Sequence, residues 1–217
     1  MHLTGRPSAV VFDCDGLLVE TESWWERAMH DVFRNHGCEL TPEIRDPLIG
    51  VSVDASSVVM AGHFPDSPDP AAVGQELCAT VLALIKQNAE PMPGAQQVVR
   101  AVAAAGVPHA VASNSPADIV YATLERGGML GDFETVITAD DIKHPKPEPE
   151  IYLTACARLG ADPLQAVGFE DTLTGALAVR AAGMRVIFVP TLPVEAPADW
   201  ILPSLDSPEL LAWIRSW

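Results

Sequence analysis

Basic residues are scarce in this 217-residue chain: thirteen lysines and arginines face twenty-nine aspartates and glutamates, for a formal charge of −16. No Lys/Arg cluster interrupts that balance, so the surface repels nucleic acid and anionic membrane, and small anions are the acidic partners that remain. No stretch is long and apolar enough to span a bilayer. Met1–Ser8 leads almost directly into an apolar strand, with no hydrophobic segment followed by a cleavage site, and the cytoplasm is therefore the expected location. Cysteine is sparse too: Cys14, Cys38, Cys78 and Cys156 are scattered, without metal-ligand spacing or a Cys-x-x-Cys motif, which predicts reduced, mostly buried thiols. What is abundant is apolar: 48% hydrophobic and 19% charged residues describe a folded globular chain with room for one sizeable core, or one core and a smaller insertion.

The stretch from Ser8 to Thr21 organises the rest. Ala9–Phe12 reads as a short buried strand, followed at once by Asp13, Asp15 and Gly16. Acids at the carboxyl end of a core strand are costly unless they bind something, because that end of an open α/β sheet is the crevice where ligands sit. Alone, the same residues also fit a strand end followed by a turn.

Beyond them Glu22–Gly37 carries Trp24, Trp25, Ala28, Met29, Val32 and Phe33 at helical spacing. Further helices are predicted over Pro42–Leu48, Ser52–Ala61 and Val73–Lys86, with a loop rich in Pro, Asp and Ser at Phe64–Pro70 and no alternating strand. These features describe a helical domain over 21–90 inserted into a core formed by 1–20 and 91–217, with junctions at Leu18–Glu22 and Ala89–Gly94. From Ala95 the rhythm becomes strand and helix. Strands are predicted at Val107–Ala112, Thr135–Ala139, Ala166–Phe169 and Arg185–Val189, separated by helices ending at Gly106, Gly160 and Gly183. The fold class is therefore α/β: a Rossmann-like parallel sheet with helices on both faces and an inserted α-helical cap domain. Trp200, Trp213 and Trp217 are expected to close the edge of the core.

Each predicted strand end carries polar groups. Ser113 and Asn114 follow the second, Lys146 lies in the His144–Glu150 loop after the third, and Glu170 and Asp171 follow the fourth. In a parallel sheet these ends open on one side, so all converge with Asp13 and Asp15. Four carboxylates cannot all ionise there without a cation, and Mg²⁺ suits an all-oxygen ligand set of Asp13, Asp15, Glu170 and Asp171. Given such an ion, Asp13 can attack phosphorus in line while Lys146 neutralises charge, and Asp15 can protonate the leaving oxygen and then activate water. Ser113, Lys146 and backbone amides around Asn114 and Gly16 can hold the other phosphoryl oxygens. Each piece alone has an ordinary structural reading, a solvated lysine or a helix-capping acid pair; their order at four strand ends is what carries the argument.

Phe12–Leu18, Ala112–Ser115, His144–Tyr152 and Gly168–Gly175 together resemble the motifs of the haloacid dehalogenase-like hydrolases, in the branch with a helical cap after the first strand that includes β-phosphoglucomutase and small-molecule phosphatases. The resemblance implies Asp13 as nucleophile, Asp15 as general acid/base lending a backbone carbonyl to Mg²⁺, Ser113 and Lys146 as the phosphate-binding pair, and Glu170 and Asp171 as metal ligands. The cap departs from the mutase: Trp25 stands at its gating histidine, and Ile49 and Val53 flank Gly50-Val51-Ser52 where it has a lysine and an arginine. The remaining cap candidates are apolar, Trp24, Trp25, Val51, Val53 and Met60, with Arg45 and Lys86 the nearest basic residues. The expected function is a Mg²⁺-dependent phosphatase of a small phosphorylated metabolite, working through an aspartyl-phosphate as a monomer or weak homodimer. A sugar phosphomutase, a dehalogenase and a non-catalytic module that retained the fold are the competing readings.

Overall fold

The computed structural model describes residues 5–191 and 193–217; the start of the Met1–Ser8 segment lies outside them. Strand β1 (Val10–Phe12) is fully buried. After β2 (Val19–Glu20) come α1 (Glu22–Asn35), α2 (Pro42–Arg45), α3 (Val53–His63) and α4 (Pro70–Asn88), and then β3 (Glu90–Pro91). The remaining elements are α5 (Ala95–Ala104), β4 (His109–Ala112), α6 (Ala117–Arg126), β5 (Thr135–Ile137), α7 (Glu150–Leu159), β6 (Val167–Glu170), α8 (Leu173–Ala181), β7 (Arg185–Phe188), β8 (Trp200–Ile201) and α9 (Pro208–Arg215).

Six strands form one parallel sheet in the order β5-β4-β1-β6-β7-β8. The chain runs outward from β1 through β4 to β5 on one side and returns to β6 on the other, so β1 borders the point where the winding reverses and ligands enter such sheets. Side chains alternate across β1: Val10 and Phe12 join one hydrophobic layer, Ala9 and Val11 the other. Phe12 packs on Phe169 of β6 with ring centroids 4.9 Å apart. On the opposite face Gly168 admits α8 closely, since a Cβ there would come within 2.6 Å of Val179.

The helices between β2 and β3 pack chiefly on one another. α4 begins at Asp69, whose carboxylate accepts the amide of Ala71 with Pro70 next in line, and it buries Val73, Leu77, Val81 and Ile85 along one stripe. Gly74 lets α3 approach, because a Cβ there would sit 2.8 Å from Ser57 Oγ. Both junctions with the sheet-bearing core are paired: Val19 and Glu20 form an antiparallel ribbon with Pro91 and Glu90, and the amide of Met92 donates to the carbonyl of Leu18. Two-residue strands are too short to show a period, so this ribbon was invisible in the sequence, as were β8 and α9 in the tail. The tail tryptophans do pack together at the sheet edge, edge to face, Trp200 against Trp213 and Trp213 against Trp217. Among the described residues, no helix is long and apolar enough to cross a membrane.

His36, just past α1, ties three parts of this helical segment together. Its ring stacks on Phe64 at 4.2 Å, Nδ1 lies 3.2 Å from Asp66, and Nε2 lies 3.2 Å from Glu76 of α4. Burial lowers the imidazole pKa, but hydrogen bonds to Asp66 and Glu76 outweigh it and hold the value above the ordinary 6.5. A raised folded-state pKa means that the added stability is complete below the unfolded value and is lost as pH rises through the folded one. The stability difference between wild type and His36→Gln is thus expected to be larger at about pH 6 than at about pH 8.5, read from urea unfolding curves; a pH-independent difference would refute the charged bridge.

Candidate active site

Asp13 lies at the carboxyl end of β1, its backbone fixed by donation to Phe169 O in the neighbouring strand at 3.0 Å. Lys146, 133 positions away, reaches it from the loop after β5: Nζ donates to Asp13 Oδ1 at 2.5 Å and to Glu170 Oε1 at 2.6 Å. The lysine is 6% exposed and Glu170 entirely buried, so this bridge belongs to the interior. Asn114 aims the lysine, accepting its backbone amide at 2.9 Å. Glu170 Oε1 also takes the hydroxyl of Tyr152 from α7, whose ring lies 5.0 Å from Nζ. Thr172 caps α8 by accepting the Gly175 amide, and the same hydroxyl donates to Glu170 Oε2.

Asp171 is held differently. Thr191 donates to its Oδ2 at 3.1 Å, while Oδ1 is buried and has no hydrogen-bond partner. Carboxylate oxygens of Asp13, Glu170 and Asp171 lie within 4.8 Å of one another. An orphaned carboxylate oxygen beside two further buried carboxylates fits the donor set of a hard cation. Burial pushes the Asp13 carboxyl well above the usual range, with Lys146 opposing and Glu170 adding to the rise; burial and then Asp13 and Glu170 do the same to Asp171. Burial alone would lower Lys146, but Asp13 and Glu170 hold it firmly cationic. One buried ammonium for three buried carboxylates leaves a deficit of positive charge, which a bound metal would remove.

Asp15 stands outside that trio. Its Oδ1 accepts from Thr21 at 2.9 Å, and its Oδ2 accepts from Ser113 at 2.9 Å and from Ser115 at 2.8 Å. Ser113, expected to face a phosphoryl oxygen, therefore spends its proton on Asp15 in this arrangement, and its oxygen accepts the amide of Ser115. Gly16 is required between them: its φ is +75°, and a Cβ would meet Asp171 Oδ2 at 2.5 Å.

A cavity of about 720 Å³ opens over Asp13, Asp15, Ser113, Asn114, Lys146 and Asp171 and is roofed by the helical segment. Of the cap candidates, Trp25, Val51, Val53 and Arg45 line it, together with Ile49. Met60 is instead fully buried, Trp24 packs on the hydrophobic core, and Lys86 is exposed on α4 away from the cavity. Arg45 is already engaged, with Glu26 at 2.6 Å and Asp46 at 2.7 Å. Sequence reasoning missed Tyr152, Thr21, Ser115, Thr191 and Glu22. Tyr152 and Ser115 sit within motif stretches and had a positional signal; Thr191 and Glu22 had none.

The family model described as haloacid dehalogenase-like hydrolase matches residues 7–183. The chain belongs to the haloacid dehalogenase-like hydrolases. It is 31% identical over 197 residues to hexitol phosphatase B of Escherichia coli K12, covering 89% of this chain and 88% of that protein. It is 30% identical over 184 residues to the fructose-1-phosphate phosphatase YqaB of the same organism, covering 85% and 97%. CbbY from Rhodobacter sphaeroides, solved in complex with phosphate, superposes with a TM-score of 0.86 at 26% identity, covering 95% of this chain and 100% of that one. This hydrolase is a phosphoric monoester hydrolase, and hydrolases of the family generally use a metal ion, for which the buried carboxylates are the candidate ligands.

Gly175 tests how tightly the hydrolase packs this cluster. A Cβ there would lie 1.9 Å from Glu170 Oε1, inside the carboxylate. Glycine-to-alanine in a helix ordinarily gains up to about 1 kcal/mol, whereas overpacking costs about 1–3 kcal/mol. Gly175→Ala is therefore expected to be net destabilising in urea unfolding and to lose most phosphatase activity as Glu170 is displaced; a stabilised, active variant would show that Glu170 is free to move.

Proposed function

We propose that the protein is a Mg²⁺-dependent phosphatase of a small phosphorylated metabolite, acting through an aspartyl-phosphate on Asp13. The observation that carries this reading is Asp13 itself: a strand-end carboxylate joined to Lys146, within 4.8 Å of Glu170 and Asp171, and facing a closed-over cavity. Asp13 Oδ attacks phosphorus in line, the ester bond breaks, and Asp15 donates a proton to the departing oxygen. Asp15 then takes a proton from water, which attacks phosphorus, releases inorganic phosphate and regenerates the Asp13 carboxylate. Lys146 and backbone amides near Gly16 and Asn114 hold the non-bridging oxygens, joined by the Ser113 hydroxyl once it turns from Asp15 to the phosphoryl group; the Gly16 amide itself is taken by Val19 O. Asp13, Glu170 and Asp171, with the backbone carbonyl of Asp15, would hold Mg²⁺, which supplies positive charge against the anionic transition state. Four free cysteines agree with a cytoplasmic protein, which we take to be a monomer or weak homodimer.

Wild type is expected to release phosphate from a chromogenic phosphomonoester with Mg²⁺, with almost all turnover lost in excess chelator and in Asp13→Asn, which preserves volume. Phosphate assays combined with circular dichroism check both. Turnover by a well-folded Asp13→Asn protein, or undiminished activity in chelator, would remove the covalent or the metal assignment respectively, and a folded wild type inert toward all esters would favour the binding-module reading.

Hydrolysis is favoured over phosphoryl transfer to a second sugar hydroxyl. A mutase must grip the distal phosphate of a bisphosphate, where a charge-assisted hydrogen bond is worth roughly 1.5–3 kcal/mol. Of the two cations lining the cavity among the described residues, Lys146 is bound to Asp13 and Glu170, and Arg45 to Glu26 and Asp46. With β-glucose 1-phosphate and a trace of glucose 1,6-bisphosphate, free phosphate is expected without glucose 6-phosphate. Coupled assays for both products decide it, and glucose 6-phosphate outrunning phosphate would reverse the assignment.

A further inference from the structure

Glu22 is the first residue of α1, where the chain leaves the sheet-bearing core for the helical segment, and its side chain lines the cavity. Its backbone is fixed on both sides. Thr21 O accepts the amides of Trp24 and Trp25, and the Thr21 hydroxyl is bonded to Asp15. Its Cγ lies 3.3 Å from the point where a Gly16 Cβ would stand, a point 2.5 Å from Asp171 Oδ2, which puts Glu22 beside the Asp15–Gly16 turn at the edge of the carboxylate cluster.

Its acidic neighbours have partners, apart from Asp171 Oδ1 in the candidate metal cluster. Glu20 accepts from the amide and hydroxyl of Ser23, Glu26 and Asp46 share Arg45, and Asp15 accepts three hydroxyls. The Glu22 carboxyl has no hydrogen-bond partner among the described residues. An ionised carboxylate is satisfied by a hydrogen-bond donor or a cation, and because Glu22 is not among the clustered candidate metal ligands, the partner left for it is a donor on the ligand. A second anion on the ligand would have to draw Arg45 away from Glu26 and Asp46, since both cations lining the cavity among the described residues are engaged. Beside these acids the lining is apolar, with Trp25, Met29, Leu48, Ile49 and Leu77 available to the C–H faces of a carbon skeleton. A volume of about 720 Å³ exceeds what a two-carbon leaving group fills.

We propose that Glu22 is a specificity-determining residue that accepts a hydrogen bond from a substrate hydroxyl, and that the cavity selects a hydroxyl-rich leaving group bearing no second negative charge. The proposal rests on the phosphatase reading for its substrate phosphate, but it concerns binding and is tested by binding. It assigns Glu22 no part in bond breaking.

The experiment is calorimetric titration of Asp13→Asn protein with Mg²⁺ against sorbitol 6-phosphate, hexyl phosphate of equal chain length without hydroxyls, and 6-phosphogluconate with a terminal carboxylate. Sorbitol 6-phosphate is expected to bind about tenfold or more tighter than either analogue, the size of one hydrogen bond to a charged group. Adding Glu22→Gln is expected to bring sorbitol 6-phosphate to within about threefold of hexyl phosphate. Equal binding of sorbitol 6-phosphate and 6-phosphogluconate to Asp13→Asn protein overturns the proposal, as does a gap to hexyl phosphate that survives Glu22→Gln. The first comparison needs no change at Glu22, so it stands even if that variant does not fold. Turnover of the three esters by wild type separates the two readings. Binding preference without phosphate release refutes the hydrolase reading alone, and phosphate release without preference refutes the role of Glu22 alone.

Discussion

The ammonium of Lys146, buried between Asp13 and Glu170, is the interaction on which the rest of the site depends. Removing a charge from water costs several kcal/mol after relaxation, and three carboxylates at one strand end would repel each other without a cation. The surrounding sequence is organised around that cost. Tyr152 and Thr172 supply hydroxyls to Glu170, Asn114 orients the lysine through its backbone, and Gly175 leaves space that any side chain would take from the carboxylate. The deficit of positive charge that remains beside Asp171 Oδ1 is what turns a buried ion pair into a candidate metal centre.

The helical segment shares a hydrophobic core with the sheet-bearing part through α4 and α6, and where it meets the charged centre its contacts bear on the chemistry. The ribbon of β2 and β3 joins both crossings, so the segment is attached as one piece. Gly50, with φ +72°, brings its loop against Thr172, the residue that caps α8 and bonds Glu170; a Cβ on Gly50 would be 3.4 Å from the Thr172 methyl. Trp25, Leu48, Ile49 and Val51 then present an apolar roof to a polar floor. A roof of this kind excludes water and leaves a transferring phosphoryl group to the fixed dipoles and charges of the floor.

Charge distribution is the basis of the selectivity we propose for the cavity. A chain with more than twice as many acids as bases needs its cations where they are, and both of those lining the cavity are held by carboxylates. Affinity for a single phosphate is concentrated at the strand ends, while the far side offers acceptors and apolar surface. Such a site distinguishes substrates by what the leaving group lacks as much as by what it offers.

The sequence alone determined the parallel α/β core, because strand-length apolar runs separated by three-turn helices have few other solutions, and it pointed to Asp13, Asp15, Ser113, Lys146, Glu170 and Asp171 at one edge, because each lies at a strand's carboxyl end or, for Lys146, in the loop beyond it. Family membership was legible for the same reason: motif residues at strand ends are local in sequence even when distant from each other. Only the tertiary structure decided which of these side chains meet. Ser113 turned out to serve Asp15, Asn114 the backbone of Lys146, and Arg45 two carboxylates, choices set by the packing of separate elements and by competition among partners. The β2–β3 ribbon, β8 and α9 were hidden because two-residue strands carry no period and an eight-residue terminal helix little more. Glu22 reads as an ordinary first-turn acid of a helix, and only the fold, by leaving it without a partner in the cavity wall, sets it apart.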